Sequence, residues 1–180
     1  AAGTVAIASF FLFLIANSEG QILVSALAIV VCGSTAGFLL WNKSPAKIYM
    51  GDAGALFLGI VMGVLTIRLD PGVKPQALSL VIPIALLAIP ILDTTVAVLS
   101  RLRRKISPFQ GGRDHLSHRL VRAGLSRKLA VIVLWGLTSL FGVLAVLISL
   151  PNNGYELIIV LFAIVFWMLL FVSFFKTKDI

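Results

Sequence analysis

Charge is scarce in this chain of 180 residues. Only 12% of the residues are charged. Acidic residues are rarer than basic ones, with 7 Asp and Glu against 15 Lys and Arg. Soluble globular domains have about 25% charged and about 45–50% apolar residues. This chain is 59% hydrophobic, with a mean hydropathy of +1.08. The composition excludes an ordinary soluble domain, and it also excludes a disordered chain, because disorder requires low hydrophobicity.

Cysteine is almost absent, and the usual start of a secreted chain is missing. The single cysteine, Cys32, excludes a disulfide framework, and inside an apolar run its thiol is expected to act as a small hydrophobe. The first residues, AAGTVAIASFF, include no initiator Met and no basic segment of a signal peptide. We therefore expect the chain to begin within a longer protein.

Long apolar runs dominate what is present. A spanning helix needs about 20 predominantly apolar residues, and polar or Gly/Pro-rich breaks divide the sequence into candidates of about that length. Pro83 and Pro90 should kink the fourth candidate. The pattern predicts an all-α, polytopic transmembrane bundle forming a single membrane-embedded domain over 1–180, with about six spans at 1–16, 21–41, 54–68, 77–100, 128–149 and 155–175.

Positive charge indicates how the bundle is oriented. If loops 42–53 and 101–127 share one side with the adjoining Lys128 and the tail from Lys176, that side has 13 of the 15 Lys and Arg residues, and only Arg68 and Lys74 remain opposite. Lys and Arg are retained on the cytoplasmic side, so both loops are expected to be cytoplasmic. Topology explains the positive charge without a nucleic acid, although a basic face also attracts anionic headgroups and phosphorylated substrates.

The loop 42–54 leads from polar residues into an apolar run. Asp52 is the expected N-cap of the helix that follows. Alternatively, Gly51 and Gly54 let a phosphate or metal approach the backbone, and Asp52 provides a hard oxygen ligand for Mg²⁺. One carboxylate cannot hold this ion, so the second interpretation requires further acids.

The loop 101–127 is the longest polar stretch, and it contains both histidines. On a helix, His115 and His118 would share a face. One interpretation is an amphipathic helix lying along the headgroups. A second is a diphosphate site, because imidazole and guanidinium donors neutralise phosphate oxygens. A transition-metal site is disfavoured, because no Cys or further His lies nearby to complete it.

Asp93 is an acid inside an apolar run. Such a residue is costly in a spanning helix, so it should face the bundle interior and have a partner or a function. Arg101 lies eight residues further along, which makes direct pairing within one helix strained. A structural role and a functional role remain equally open for Asp93.

Three segments together resemble one enzyme family. They are N-x-x-P-A-x-I-Y-M-G-D-A-G at 42–54, P-x-x-D at 90–93 and P-F-x-x-x-R-D-H-L-S-H-R-L at 108–120. Their order, spacing and membrane side resemble the polyprenyl-phosphate N-acetylhexosamine-1-phosphate transferases. The R-D-H-x-x-H-R segment looks like the branch that uses UDP-N-acetylglucosamine. The branch that makes the first peptidoglycan lipid intermediate has a run of adjacent histidines here and is the alternative within the family.

The resemblance implies a reaction and its participants. The family transfers a sugar-1-phosphate, here N-acetylglucosamine-1-phosphate, from a UDP-sugar to a polyprenyl phosphate such as undecaprenyl phosphate and releases UMP. It implies Mg²⁺ as cofactor, with Mn²⁺ as a substitute, and a multi-pass protein of the inner or plasma membrane with a cytoplasmic active face. The expected partners are a UDP-N-acetylhexosamine, polyprenyl phosphate and membrane lipid, without nucleic acid, and a homodimer is an open alternative to a monomer.

The resemblance also implies roles for individual residues. Asp52, His115 and His118 are the expected catalytic residues, and Asp52 is also the expected metal ligand. Ala1-Ala2-Gly3 looks like the residues that follow an upstream acidic element of the family, so the chain should be a C-terminal half that is inactive alone. The expected substrate-binding residues lie near the same rim and are Asn42, Gly51, Asp93, Arg113, Asp114 and Arg119.

The competing class is a non-enzymatic membrane protein, such as a transporter or a scaffold subunit. A transporter concentrates ionisable groups near the bilayer midplane. Here Asp93 is the main candidate for such a position, and the other polar residues gather at one rim. The sequence therefore favours the transferase.

Overall fold

The computed structural model describes residues 1–43, 45–109, 112, 114–150 and 154–177. These residues form α-helices and turns, with no strand among them. The all-helical architecture predicted from the composition is confirmed. In chain order the helices are α1 (Ala2–Ser18), α2 (Ile22–Asn42), α3 (Gly51–Arg68), α4 (Gln76–Leu86), α5 (Ala88–Arg103), α6 (Leu116–Arg122), α7 (Arg127–Ser149) and α8 (Glu156–Lys176).

Four of these helices, α2, α3, α7 and α8, are long and apolar enough to cross a membrane. The pair α4 and α5 adds a fifth crossing if it is counted as one broken span, and α1 is a shorter apolar helix. The expected number of about six is therefore approximate. The outward faces of these helices display many large apolar side chains, as lipid-facing surfaces do, and the chain is a multi-pass membrane protein.

Contacts between loops define two rims of the bundle. At one rim, the Gln21 side chain donates to the carbonyl of Asp70 at 2.5 Å and accepts from the Asp70 amide at 3.1 Å. At the other rim, Arg119 donates to the carbonyls of Phe174 and Thr177 at the end of α8. We call this second rim, formed by the described residues within 43–50 and 104–115 together with α6 and the end of α8, the basic rim.

The fourth apolar run is broken at Leu87 and not merely kinked. The axes of α4 and α5 differ by 71°. Pro90 has no N–H, so the Leu86 carbonyl cannot receive the usual helical hydrogen bond, and Pro90 is tolerated because it lies in the first turn of α5. The indole of Trp167 on α8 donates to the Ala88 carbonyl at 3.0 Å. The break thus directs α5 toward the basic rim and anchors its start to α8.

Two glycine contacts lock α1 against α7. A Cβ added at Gly3 would lie 2.2 Å from the indole of Trp135, and a Cβ added at Gly142 would lie 2.1 Å from Cδ2 of Phe11. Each helix therefore provides one aromatic ring and one glycine that receives the ring of the other. Small residues let helices approach closely where lipid gives no hydrophobic driving force for association.

We predict that Gly142→Ala destabilises the bundle by about 1–3 kcal/mol, because the new methyl overlaps the Phe11 ring. Gly136→Ala is the matched control on α7, since a Cβ there meets nothing within 4 Å and should add up to about 1 kcal/mol of helix propensity. Thermal unfolding in detergent measures both. Equal effects of the two substitutions would contradict the interlocking contact.

Candidate functional site

A cavity of about 740 Å³ lies beside the basic rim, between α1, α3, α5, α6 and α7. Its wall is largely apolar, with Leu58, Met62 and Trp135 among its members. The polar groups that line it are Thr4, Asp93, Thr94, Thr95 and Ser117. An apolar cavity with a few polar groups is the usual form of a ligand site.

Asp93 bridges α5 and the start of α6. Its Oδ2 lies 2.8 Å from Nδ1 of His115, and its Oδ1 accepts a hydrogen bond from the amide of Leu116 at 2.6 Å. The hydrogen bond with Asp93 raises the pKa of His115 above its ordinary value, against the opposing effect of burial. The acid that was expected to have a partner therefore has two, on consecutive residues of the histidine segment.

Asp114 binds two arginines of α5 and the turn after it. Its carboxylate accepts from Nε of Arg101 at 2.9 Å and from Nη2 of Arg104 at 2.8 Å. Arg101 also donates to the Pro108 carbonyl at 2.7 Å. Burial acts to raise the pKa of Asp114, but the hydrogen bonds and charges of Arg101 and Arg104 outweigh it, so the pKa lies below its ordinary value.

Arg119 is fully buried beneath this loop, with a relative exposure of 0%. Its Nε donates to the backbone carbonyl of Asp114 at 2.9 Å, and its Nη1 donates to the carbonyls of Phe174 and Thr177 at 2.9 and 3.1 Å. The side chain thus ties the loop and α6 to the end of α8. Its expected contact with substrate stays a prediction, as do the substrate contacts expected of Asp93 and Asp114.

The two histidines do not share a helical face. His115 is the N-cap of α6, with ψ 155°, so its backbone is extended, while His118 lies within α6. Both residues are exposed. Arg113, the remaining cation of the segment, lies outside the described residues, so its expected role in binding the diphosphate stays a prediction.

Asp52 lies in the first turn of α3, where its carboxylate is exposed. The N-cap is Met50, without a side-chain cap hydrogen bond, so the expectation that Asp52 is the N-cap was wrong. The helix begins at Gly51, so its N-cap lies two residues before Asp52. Gly51 adopts φ +67°, a left-handed conformation that favours glycine. Met50 and Ala55, which flank this turn, line the cavity, so α3 presents its start to the same region.

Asn42 closes the loop that precedes α3. Its side chain donates to the Ile48 carbonyl at 2.9 Å, the Lys47 amide donates to the Trp41 carbonyl at 2.8 Å, and the Lys47 ammonium lies 5.3 Å from the Trp41 ring centroid. The loop is therefore held by its own residues. The expected substrate contact of Asn42 stays a prediction.

The described residues do not form a complete metal centre. No group of three or more His, Cys, Asp or Glu side chains comes together among them. Magnesium prefers an octahedral set of oxygens, and Asp52 alone would supply one or two of these. The residues present therefore fit part of a magnesium site at most.

Sequence reasoning missed the partners of Asp114. It placed Asp114 among the expected substrate-binding residues and did not predict that its carboxylate contacts Arg101 and Arg104. One signal in the sequence could have found the pairing. Asp114 is the sole acid between residues 101 and 127 among eight Lys and Arg residues, so a buried acid there has strong reason to bind two cations.

Comparison with known proteins confirms the family. The family described as glycosyl transferase family 4 matches residues 1–70. The chain is 35% identical over 170 residues to a probable undecaprenyl-phosphate N-acetylglucosaminyl 1-phosphate transferase of Bacillus subtilis, covering 94% of this chain and 47% of that protein. The chain belongs to glycosyl transferase family 4.

Further relatives have related names. A decaprenyl-phosphate N-acetylglucosaminephosphotransferase of Mycolicibacterium smegmatis is 30% identical, over 72% of this chain and 35% of its own length. An undecaprenyl-phosphate alpha-N-acetylglucosaminyl 1-phosphate transferase of Escherichia coli K12 is 29% identical, over 68% and 33%. The chain thus spans between a third and a half of the length of these relatives. No solved structure matches.

We predict that Asp114→Asn lowers stability at neutral pH by about 3 kcal/mol, because two partly buried arginines lose their counter-charge. A carboxylate with a lowered folded pKa stabilises the fold above its unfolded pKa, and this contribution is lost as pH falls through the folded value. The difference in melting temperature between wild type and Asp114→Asn should therefore shrink below about pH 4.

Thermal unfolding followed by Trp fluorescence between pH 7 and pH 3 measures this effect. Asp70→Asn is the matched control, since Asp70 lies exposed at the opposite rim. A difference for Asp114→Asn that stays constant across this pH range would contradict the ion-pair account.

Proposed function

We propose that this chain is the membrane-embedded C-terminal part of an enzyme that transfers N-acetylglucosamine-1-phosphate from UDP-N-acetylglucosamine to a polyprenyl phosphate. The observation that carries the proposal is the placement of the Asp93 and His115 pair at an apolar cavity of about 740 Å³ on a basic rim. The names of the relatives, which specify undecaprenyl or decaprenyl phosphate and N-acetylglucosamine, support it.

The two halves of the proposed acceptor match the two surfaces of the site. A prenyl chain is apolar and needs an apolar wall, such as the one that includes Leu58, Met62 and Trp135. A phosphate carries negative charge and needs N–H donors at the membrane surface, such as imidazole and guanidinium groups. The kinked segment after Pro83 supports this arrangement, because it brings Asp93 and the apolar wall together.

The proposed reaction is a phosphoryl transfer. An oxygen of the lipid phosphate attacks the β-phosphorus of the UDP-sugar and forms a new P–O bond. The bond between the β-phosphorus and the bridging oxygen breaks, and UMP leaves with the electron pair of that bond. The negative charge that develops on the phosphate oxygens needs positioned cations and hydrogen-bond donors, and positioning supplies most of the catalysis in this chemistry.

His115 and His118 are the proposed donors to the diphosphate, together with Arg113. A raised pKa favours the protonated form of His115, which donates hydrogen bonds to anionic oxygens. Arg101, Arg104 and Asp114 hold the loop that presents these groups. In this proposal, catalysis depends on a fixed conformation of the segment that carries Asp114 and His115.

The proposal includes Mg²⁺, with Asp52 as one oxygen ligand at the start of α3. When bound, the ion would neutralise diphosphate oxygens and make UMP a better leaving group. Phosphate oxygens, water or acids outside the described residues would complete its coordination, since the described residues offer no cluster of ligands. The active face is proposed to be cytoplasmic, in an inner or plasma membrane, and a homodimer is the proposed assembly to test.

We predict that Asp52→Asn in the full-length protein lowers transfer by at least about hundredfold while membrane insertion is unchanged, because a metal ligand is lost. The assay incubates membranes with radiolabelled UDP-N-acetylglucosamine, undecaprenyl phosphate and Mg²⁺, and measures labelled lipid and UMP. Asp70→Asn, at the opposite rim, is the matched control and should stay within about twofold of wild type.

Three results would overturn parts of the proposal. Near-normal activity of Asp52→Asn would remove the metal role. Transfer from a UDP-muramoyl-peptide in place of UDP-N-acetylglucosamine would assign the other branch of the family. No transfer from either donor, with the protein correctly inserted, would favour the transporter or scaffold alternative.

Sidedness makes a separate prediction. In a Cys32→Ser background, Lys128→Cys at the start of α7 should react with a membrane-impermeant maleimide only after cells are opened, because we propose that this rim is cytoplasmic. Lys74→Cys, in the loop between α3 and α4, should react in intact cells. The reverse pattern would place the basic rim outside the cell.

A further inference from the structure

We infer that Asp93 is a positioning residue that acts through His115: it fixes the orientation of the imidazole and selects which ring nitrogen faces the substrate. The kinetic consequences of this inference rest on the proposed function. The effect of Asp93 on the His115 ring does not, because it concerns only contacts within the chain. It differs from the expected role of Asp93 as a substrate ligand.

Both carboxylate oxygens of Asp93 are already engaged. One lies 2.8 Å from Nδ1 of His115, and the other accepts from the backbone amide of Leu116 at 2.6 Å. The two partners are consecutive in sequence, 22 and 23 residues after Asp93. A carboxylate held on both oxygens by adjacent residues is oriented by them, and it orients them in return.

The hydrogen bond to Leu116 fixes the backbone as well as the side chain. Leu116 is the first residue of α6, where helical amides lack an internal partner, so Asp93 caps α6 from a different helix. The Leu116 side chain is 1% exposed and packs in the core. The Leu116 amide therefore ties the backbone next to His115 to α5. The His115 ring is held as well, by its hydrogen bond to Oδ2 of Asp93.

The bond to Nδ1 determines the chemistry of the ring. An ionised carboxylate only accepts hydrogen bonds, so Nδ1 must carry the proton, and Nε2 is the nitrogen left to meet a ligand. The His115 side chain is 48% exposed and that of Asp93 is 30% exposed, so the pair is within reach of the aqueous rim. Asp93 also lines the cavity that we propose for the prenyl chain of the acceptor.

The neighbouring charges shift the pKa of His115 in opposite directions. Asp93 on α5 and Asp114 in the loop both favour protonated His115, while Arg101 on α5 disfavours it. Arg101 is itself bound to Asp114, so its effect is partly offset. The hydrogen bond to Asp93 is the strongest of these influences, and its loss should therefore lower the pKa of His115.

The first test is spectroscopic and needs no substrate. The chain has two histidines, so ¹⁵N-histidine NMR of the protein in lipid nanodiscs resolves His115 with His118 as an internal reference. In wild type we expect neutral His115 to hold its proton on Nδ1. Asp93→Asn should lower the pKa of His115 and shift the tautomer toward a proton on Nε2, with the His118 resonances unchanged.

Asp93→Asn is chosen because it is isosteric and keeps an oxygen that can accept from the Leu116 amide, so α6 should remain capped. Glu156→Gln removes the same charge from the first turn of α8, at the opposite rim, and is the control. Unfolding temperatures of both variants are measured, and Asp93→Glu is prepared in parallel as the variant that restores a carboxylate.

The second test is kinetic and uses the full-length protein. Asp93→Asn should lower kcat about ten- to hundredfold, with the KM for the UDP-sugar within about twofold, and Asp93→Glu should recover part of the loss. Combining Asp93→Asn with His115→Ala should lower kcat no further than His115→Ala alone, because residues that act through one group are not additive. The alkaline limb of the pH profile should also move to lower pH.

Two outcomes would overturn the inference. If the His115 resonances of Asp93→Asn match wild type, Asp93 does not set the state of the ring. If the fall in kcat of the double variant equals the product of the falls in the two single variants, Asp93 acts independently of His115, as a substrate ligand would. Failure of the proposed function gives a different result, because wild type would then transfer no sugar phosphate. The NMR experiment would still test whether Asp93 sets the state of the His115 ring, since it needs no substrate.

Discussion

The basic rim depends on one acid, Asp114, because the segment 101–127 has eight cations and no other carboxylate. Its side chain binds Arg101 and Arg104, and its backbone carbonyl accepts from Arg119, which reaches the end of α8. These bonds connect the consecutive helices α5 and α6 to α8, which is distant from both in sequence. Without them the repulsion among the arginines would weaken the packing of the loop against the bundle.

The break at Leu87 is the second requirement. An unbroken helix over this run would continue along the axis of α4, whereas the observed bend turns α5 by 71°. This turn places Asp93 at the wall of the cavity and Arg101 beneath the loop. Near the break, the indole of Trp167 donates to the Ala88 carbonyl and so adds a polar contact between α5 and α8.

The sequence allowed much of the fold to be predicted, because apolar length and proline position act locally. Helices close to the predicted spans are observed, and Pro83 and Pro90 flank the observed break. The site was harder to predict. The contact between Asp93 and His115 joins residues 22 apart, and its geometry depends on a bend whose angle no local rule supplies. The N-cap of α3 was misassigned because an acid was expected to cap the helix, whereas α3 begins at Gly51 after Met50, without a side-chain cap hydrogen bond.

The two acids near the loop have different roles because their surroundings differ. Asp114 is buried against arginines, which stay charged at every accessible pH, so its bonds provide permanent structure. Asp93 is more exposed and bonds to a histidine, whose charge changes near neutral pH. A loop that holds its shape with a permanent ion pair can use a titratable one for chemistry, since a change in the protonation of His115 leaves the Asp114 bonds intact. In the basic rim, the carboxylate that binds arginines thus stabilises the loop, and the carboxylate that binds histidine is available for chemistry.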